Sequence, residues 1–241
     1  MNRSVTSLSR LFTLAGLAAL CAAVLPVMGS AAAPRSQHLA KSCWAGYSYD
    51  GVQSTTAAYG VSANLTLARP TVVGLGHVAA WVGVGGAGLG PGGSDEWLQA
   101  GIAHDAGGYD VLYYEFKRPG DASATYATLG SVAPGKTHTF VVYERAGHRN
   151  SWSVLIDGKT VSPPVGLPAS HGRFQPVATA ENWDGGVAGT CNNYDFNFSN
   201  LAVRTQWAGS WQAFNLSRVL RDPAYLITMR ASGFTASSRQ A

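Results

Sequence analysis

The feature that most constrains the fold is a series of short segments in which apolar and polar residues alternate, separated by Gly, Pro, Asn and Asp. Residues 137–145 and 194–203 show the two-residue period of half-buried strands most clearly. The same pattern predicts strands near residues 44–50, 57–67, 77–84, 96–104, 109–117, 137–145, 150–157, 174–183, 194–203, 206–214 and 224–230. No segment between them predicts a helix. We therefore expect an all-β protein, most simply a two-sheet antiparallel β-sandwich.

Turn residues refine this expectation. Asp157-Gly158 predicts a tight hairpin. The glycine-rich residues 83–93 predict a flexible loop, and they lack the Gly-Lys-Ser/Thr ending and following helix of a phosphate-binding loop. Because no linker or internal repeat is present, we expect one domain over residues 43–230, ending in an edge strand, and a frayed tail over residues 231–241.

The N-terminus predicts export. Residues 1–33 combine Arg3 and Arg10 with an apolar run and a small-residue stretch, which is typical of a secretory signal peptide, and residues 34–42 form a short extension. A retained membrane anchor is the alternative. After cleavage we expect a secreted protein, extracellular or periplasmic, that makes no membrane contact and is a monomer.

The net charge limits the kinds of partner that can be expected. Removal of Arg3 and Arg10 lowers the Lys and Arg count from 17 to 15 against 13 Asp and Glu, which leaves a net charge of +2. Such a weak charge argues against a nucleic-acid partner.

Cys43 and Cys191 are the cysteines left after cleavage, and in an oxidising compartment they can close one disulfide; two buried thiols are the alternative.

Common catalytic motifs are absent from the sequence. It contains no Gly-x-Ser-x-Gly elbow and no His-Glu-x-x-His, and its histidines do not fall at metal-ligand spacing. We predict neither a metal site nor a cofactor. Carboxylates then become the main candidates for chemistry.

Strand alternation places an amide or a carboxylate beside aromatic residues on three strands. Trp97 shares a strand face with Gln99, Tyr113 with Glu115, and Glu181 with Trp183. Such faces predict a groove lined by rings and a few polar groups. The simpler interpretation is three solvent-facing polar positions with aromatic neighbours.

Four motifs carry a family resemblance. In order and separation, Ala80-Trp-Val-Gly-Val-Gly-Gly86, Leu98-Gln-Ala-Gly101, Tyr114-Glu-Phe116 and Ala180-Glu181 resemble the glutamic peptidases, or eqolisins. Fungal members read approximately Trp-Val-Gly-Ile, Leu-Gln-Thr-Gly, Tyr-Glu-Trp and Ala-Glu-Trp at these places. The similarity extends over about residues 43–205. The chain departs from the pattern at Gly85, Val111, Tyr113 and Asn182.

The resemblance implies a concanavalin-like jelly roll and a polypeptide substrate cleaved in an acid range. The implied catalytic pair is Glu181, as base and then acid, with Gln99 holding the water and donating to the oxyanion. Trp81, Trp97, Tyr113 and Glu115 would line the substrate groove, and Glu115 would orient Gln99.

Two other functions remain open. Glu115 and Glu181 are also compatible with a carbohydrate-binding or glycan-cleaving module, although the Glu-x-Asp-x-x-Glu pattern of sandwich glucanases is absent. The third hypothesis is a catalytically inactive exported binding protein of the same fold.

Overall fold

The computed structural model describes residues 46–172, 174–187, 190–214, 218–221 and 225–238. The described strands are β1 Tyr47–Gln53, β2 Gly60–Leu67, β3 His77–Gly86, β4 Glu96–Asp105, β5 Val111–Lys117, β6 Thr125–Ser131, β7 Thr137–Glu144, β8 Ser151–Ile156, β9 Lys159–Thr160, β10 Val165–Gly166, β11 Pro176–Trp183, β12 Gly186–Val187, β13 Thr190–Cys191, β14 Asp195–Arg204, β15 Gln212–Ala213, β16 Arg218–Leu220, β17 Tyr225–Arg230 and β18 Gly233–Ser238. One 3-10 turn, Pro91–Gly93, lies between β3 and β4. In these ranges no helix is long and apolar enough to cross a bilayer.

The described strands form two large antiparallel sheets. The first has the order β16-β1-β11-β3-β4-β5-β6. The second has the order β10-β8-β7-β2-β14-β18-β17, with β15 beside β14 and β9 beside β8. Strands β12 and β13 form a separate ribbon. This arrangement confirms the predicted two-sheet antiparallel sandwich.

The core lies between the two sheets because each strand turns alternate residues inward. On β2, Val61, Ala63, Leu65 and Leu67 are fully buried, whereas the residues between them are partly exposed. The first sheet contributes the other wall through an apolar set, Ala80, Val82, Leu98, Ala100, Ile102, Ala178 and Ala180. Each large aliphatic side chain so buried stabilises the fold by roughly 1.5–3 kcal/mol.

The hairpin signal at Asp157-Gly158 is confirmed. These two residues connect β8 to β9, with Ile156 paired to Lys159. Their φ angles of 52° and 76° are the positive values that a type I′ turn requires.

Several predicted boundaries differ from the structure. Residues 83–86 belong to β3, so the glycine-rich loop starts later than expected. Of residues 206–214, only 212–213 are in a strand, because the chain turns at Ala208, whose φ is 55°, and Gly209 N donates to Gln206 O. Strand β6 was not predicted, since its residues are almost all exposed and show no apolar alternation.

The C-terminal expectation needs the largest correction. Residues 233–238 form β18, which lies between β14 and β17 in the second sheet, whereas a frayed tail was expected from residue 231. Phe234 and Ala236 are fully buried there. Strand β17 is at the sheet edge, as predicted. The predicted signal peptide, the extension over residues 34–42 and Cys43 lie outside the described residues.

Candidate active site

The candidate site is on the face of the first sheet that points away from the core. On β3, Val78, Ala80 and Val82 face the core, so His77, Ala79, Trp81 and Gly83 point to the opposite side. This outer face carries a second, smaller apolar cluster of Ala79, Ala103, Val111 and Tyr113, with Trp81 packed against it. We call this surface the groove face.

Strand register brings Glu181 and Gln99 to the groove face from different strands. Glu181 of β11 is paired with Ala79 of β3, and Gln99 of β4 is paired with Gly83 of β3. Because Ala79 and Gly83 are four residues apart on one strand, both pairs point to the same side. The two candidate residues therefore lie diagonally across β3.

Glu181 is nearly buried and accepts a hydrogen bond on each oxygen. Its residue is 7% exposed. His77 Nε2 lies 2.9 Å from Oε1, and Trp81 Nε1 donates to Oε2 at 3.0 Å. Both donors come from β3, two residues before and two residues after Ala79, so a single strand fixes the plane of the carboxylate.

Gln99 is held by the neighbouring strand β5. Its Nε2 donates to Glu115 Oε2 at 3.0 Å and to the Tyr113 hydroxyl at 3.3 Å. Gln99 is paired with Glu115 in the β4–β5 ladder, which explains the short contact. Both amide hydrogens are thereby oriented, and the amide oxygen Oε1 is left as an acceptor.

A glycine makes this register possible. A Cβ on Gly101 would lie 1.8 Å from the Ala80 carbonyl oxygen and 2.7 Å from the Trp81 Cα. Strands β3 and β4 can therefore approach closely at the level of Trp81 only with glycine at this place.

Two cavities open on the groove face, and both are bounded by Gln99, Glu115 and Glu181. One, of about 310 Å³, is mainly apolar and is also lined by Tyr47, Tyr49, Trp81, Val84, Trp97 and Leu98. The other, of about 210 Å³, is also lined by His77, Ala79, Ala103, Asp105, Tyr113 and Tyr126. A larger cavity of about 440 Å³ beside Arg69 and Asp195 lies elsewhere and holds an ordinary exposed ion pair of 3.2 Å. The polar groups converge on the groove, which is where we place the site.

The groove shifts the pKa values of Glu115, Tyr113 and His77. Burial raises the pKa of Glu115, and the charge of Glu181 raises it further against the opposing effects of His77 and Gln99. Burial raises the pKa of Tyr113 well above its ordinary value, so its hydroxyl stays protonated. Burial alone lowers the pKa of His77, but the hydrogen bond to Glu181 and the charges of Glu181, Asp105 and Glu115 outweigh burial, and the net shift is upward.

The predicted site residues divide into two groups. Each residue of the first group lines at least one of the two groove cavities: Gln99, Glu115 and Glu181 line both, Trp81 and Trp97 the larger, and Tyr113 the smaller. Cys191 lies away from them on β13, and because Cys43 is outside the described residues the Cys43–Cys191 disulfide stays a prediction. In the described ranges, no group of three or more His, Cys, Asp and Glu side chains could hold a metal ion.

His77 is the contact that the sequence analysis missed. It shares a strand face with Ala79 and Trp81, and that periodicity was visible in the sequence. What could not be seen was the pairing of β11 with β3, which brings Glu181 from 104 positions further along the chain.

Comparison with solved structures relates the fold to glutamic peptidases. Scytalido-glutamic peptidase with a peptide-based transition-state analogue aligns with a TM-score of 0.55 and 14% identity, covering 82% of this chain and 100% of that chain. SCP-B, a member of the eqolisin family of peptidases in complex with the tripeptide Ala-Ile-His, aligns with a TM-score of 0.50 and 14% identity over the same shares. An alginate lyase, Aly36B, aligns with a TM-score of 0.43 and 15% identity, covering 65% of this chain and 74% of that chain.

At these identities the similarity shows the fold alone. No protein-family model matches the sequence, and no curated protein matches it either. The chain therefore has the β-sandwich jelly-roll fold of the glutamic peptidases, and its activity has to be argued from the groove.

Proposed function

We propose that the chain is a secreted endopeptidase of the glutamic type, with Glu181 and Gln99 as its catalytic residues. The observation that carries this proposal is that a carboxylate held by two donors and an oriented amide border the same two cavities on one sheet face. An extended polypeptide lying across the strands would place a peptide bond above both groups.

In the proposed reaction, Glu181 acts first as a base. It takes a proton from a water molecule as the water oxygen bonds to the peptide carbonyl carbon, and the carbonyl oxygen becomes an oxyanion. The Gln99 amide and the Tyr113 hydroxyl, which already lie 3.3 Å apart, are the donors that stabilise that charge. Glu181 then gives its proton to the leaving nitrogen as the C–N bond breaks.

Glu115 has a supporting role in this scheme. As a carboxylate, it accepts the Gln99 N–H and holds it away from the substrate. Its raised pKa means that it becomes protonated more readily than an exposed glutamate. A protonated Glu115 no longer needs that donor, so the amide hydrogen is released for the oxyanion. This coupling favours activity on the acid side of neutrality.

The test is digestion of a denatured protein by the purified mature chain over pH 2–8. We expect Glu181→Gln and Gln99→Ala each to reduce kcat/KM by roughly 10²–10⁴-fold, the usual range for a proton-transfer group or an oxyanion donor. Gln212→Ala is the matched control, because Gln212 is exposed and lies on β15 of the other sheet. Near-UV circular dichroism checks that each variant is folded. Undiminished cleavage by folded Glu181→Gln contradicts the proposal.

A glycan-directed function is the second candidate, and exposed rings favour it. Tyr47, Tyr49 and Trp183 are 56%, 38% and 40% exposed, and Tyr47 stacks on Tyr49 with ring centroids 6.3 Å apart. Such rings suit sugar faces as well as apolar peptide side chains. The carboxylates fit a glycosidase pair less well, since Glu115 accepts a hydrogen bond from Gln99 and is thereby tied to the neighbouring amide. Polysaccharide binding without peptide cleavage would favour this second function.

A further inference from the structure

His77 is positioned as a hydrogen-bond donor for Glu181, in surroundings that favour its charged form. An ionised carboxylate only accepts hydrogen bonds, so the 2.9 Å contact requires the proton to be on His77 Nε2. The ring packs against Trp183 and Tyr47, with centroid distances of 5.4 Å and 6.1 Å. Its side chain is 26% exposed, so it can still exchange protons with solvent.

The charged groups that surround His77 are all acidic. Strand β11 contributes Glu181 and the uncharged Trp183, β4 contributes Asp105, β1 contributes Tyr47, and β5 contributes Glu115 at longer range. The described residues that line the two groove cavities include no Lys and no Arg. His77 is therefore the residue there that can balance a negative Glu181.

We propose that His77 is a positioning residue that keeps Glu181 ionised and oriented, forming an imidazolium–carboxylate pair that sets the pH range of the site. The inference rests on the proposed peptidase function. The Trp81 N–H orients the other Glu181 oxygen but carries no charge. Trp81 therefore contributes orientation alone, whereas His77 contributes orientation and charge. When Glu181 has taken the water proton, the adjacent imidazolium disfavours its retention and so favours transfer to the leaving nitrogen.

The pair predicts a pH–activity profile with two limbs. At low pH the carboxylate is protonated and the base is lost. At high pH the His77 imidazolium loses one of its two ring protons. The neutral ring can keep the Nε2 hydrogen bond to Glu181, but the compensating charge is lost. The raised pKa of His77 places this second limb above the range of an ordinary histidine.

The decisive variant is His77→Gln, which keeps an N–H donor but removes the titrating cation. We expect this change to remove the limb of the kcat profile that depends on the His77 proton, because glutamine does not titrate. The alkaline limb should flatten, and KM should change less than twofold. His148→Gln is the control, as His148 is exposed in the turn between β7 and β8.

A second measurement separates this inference from the proposed function. The His77 ring is titrated by ¹H–¹⁵N NMR in the wild type and in Glu181→Gln, and we expect its pKa to fall in the variant. An unchanged pKa, or a His77→Gln profile with both wild-type limbs, overturns the inference. If the wild type cleaves no peptide at any pH while the NMR coupling is seen, the peptidase proposal has failed and the positioning role fails with it, although the ion pair itself stands.

Discussion

At the residue scale, the candidate site depends on the spacing of three side chains along β3. Ala79 is opposite Glu181 and has only a methyl group, so the carboxylate has room above the sheet. His77 and Trp81 flank Ala79 and bond one oxygen each. A larger residue at position 79 would push into the cavity that Ala79 lines.

The Trp81 indole N–H supplies a test at this scale. Trp81→Phe keeps an aromatic ring but removes the donor to Glu181 Oε2, and a hydrogen bond to a charged group is worth about 1.5–3 kcal/mol. We expect kcat/KM to fall roughly tenfold to a hundredfold.

Trp97→Phe is the comparison for Trp81→Phe. The Trp97 N–H is buried and has no hydrogen-bond partner among the described residues. Its removal should therefore lower kcat/KM less than the Trp81 change does. Equal losses in steady-state kinetics of the two folded variants would show that ring shape, and not the hydrogen bond, is what matters.

The sequence predicted the residues of the groove better than their contacts. Alternation put Gln99 and Glu115 on the faces where the structure has them, and the family resemblance singled out Gln99 and Glu181. The sequence could not show that Glu181 is bonded to His77, because β11 and β3 are neighbours in the sheet but distant in the chain.

At the element scale, β18 shows that residue polarity alone is not enough to predict a strand. Residues 233–238 are few and largely small or polar, a composition that predicts a tail. Pairing with β14 and β17 buries them, and Phe234 stacks on Phe198 with ring centroids 4.2 Å apart. Strand β6 was missed for the opposite reason, since an exposed edge strand needs no apolar face.

Removal of the Phe234 ring tests whether β18 belongs to the core. Phe234 is fully buried, and Phe→Ala changes at such sites cost about 3–5 kcal/mol. Leu226→Ala on β17 is the control, because Leu226 is 47% exposed and its loss should cost less than about 0.5 kcal/mol. Urea unfolding measures both variants. A frayed tail would leave Phe234→Ala as stable as the control.

At the scale of the whole molecule, the His77–Glu181 pair links stability to pH. Four histidine–carboxylate pairs occur among the described residues: His77–Glu181, His104–Asp110, His138–Asp157 and His171–Glu144. The pKa of His77 is raised in the folded chain, so its contribution is fully present below the unfolded histidine value near 6.5. That contribution is lost as the pH rises through the folded pKa.

We therefore expect the urea midpoint to fall between pH 5.5 and pH 8.5, and to fall less in His77→Gln. The sign follows because the folded state holds the His77 proton more tightly than the unfolded state does. Equilibrium unfolding at the two pH values, with His148→Gln as the control, measures the difference. An equal fall in wild type and His77→Gln would show that the His77–Glu181 pair does not contribute.

The position of β11 in the first sheet has a consequence for synthesis. It lies between β1 and β3, and 89 residues separate the end of β3 from the start of β11. A growing polypeptide thus has a gap in the middle of this sheet until residue 183 has emerged, and until then the carboxylate and its two β3 partners are apart. The proposed catalytic pair is therefore assembled only after most of the chain has been made, whatever the order in which the other strands pair.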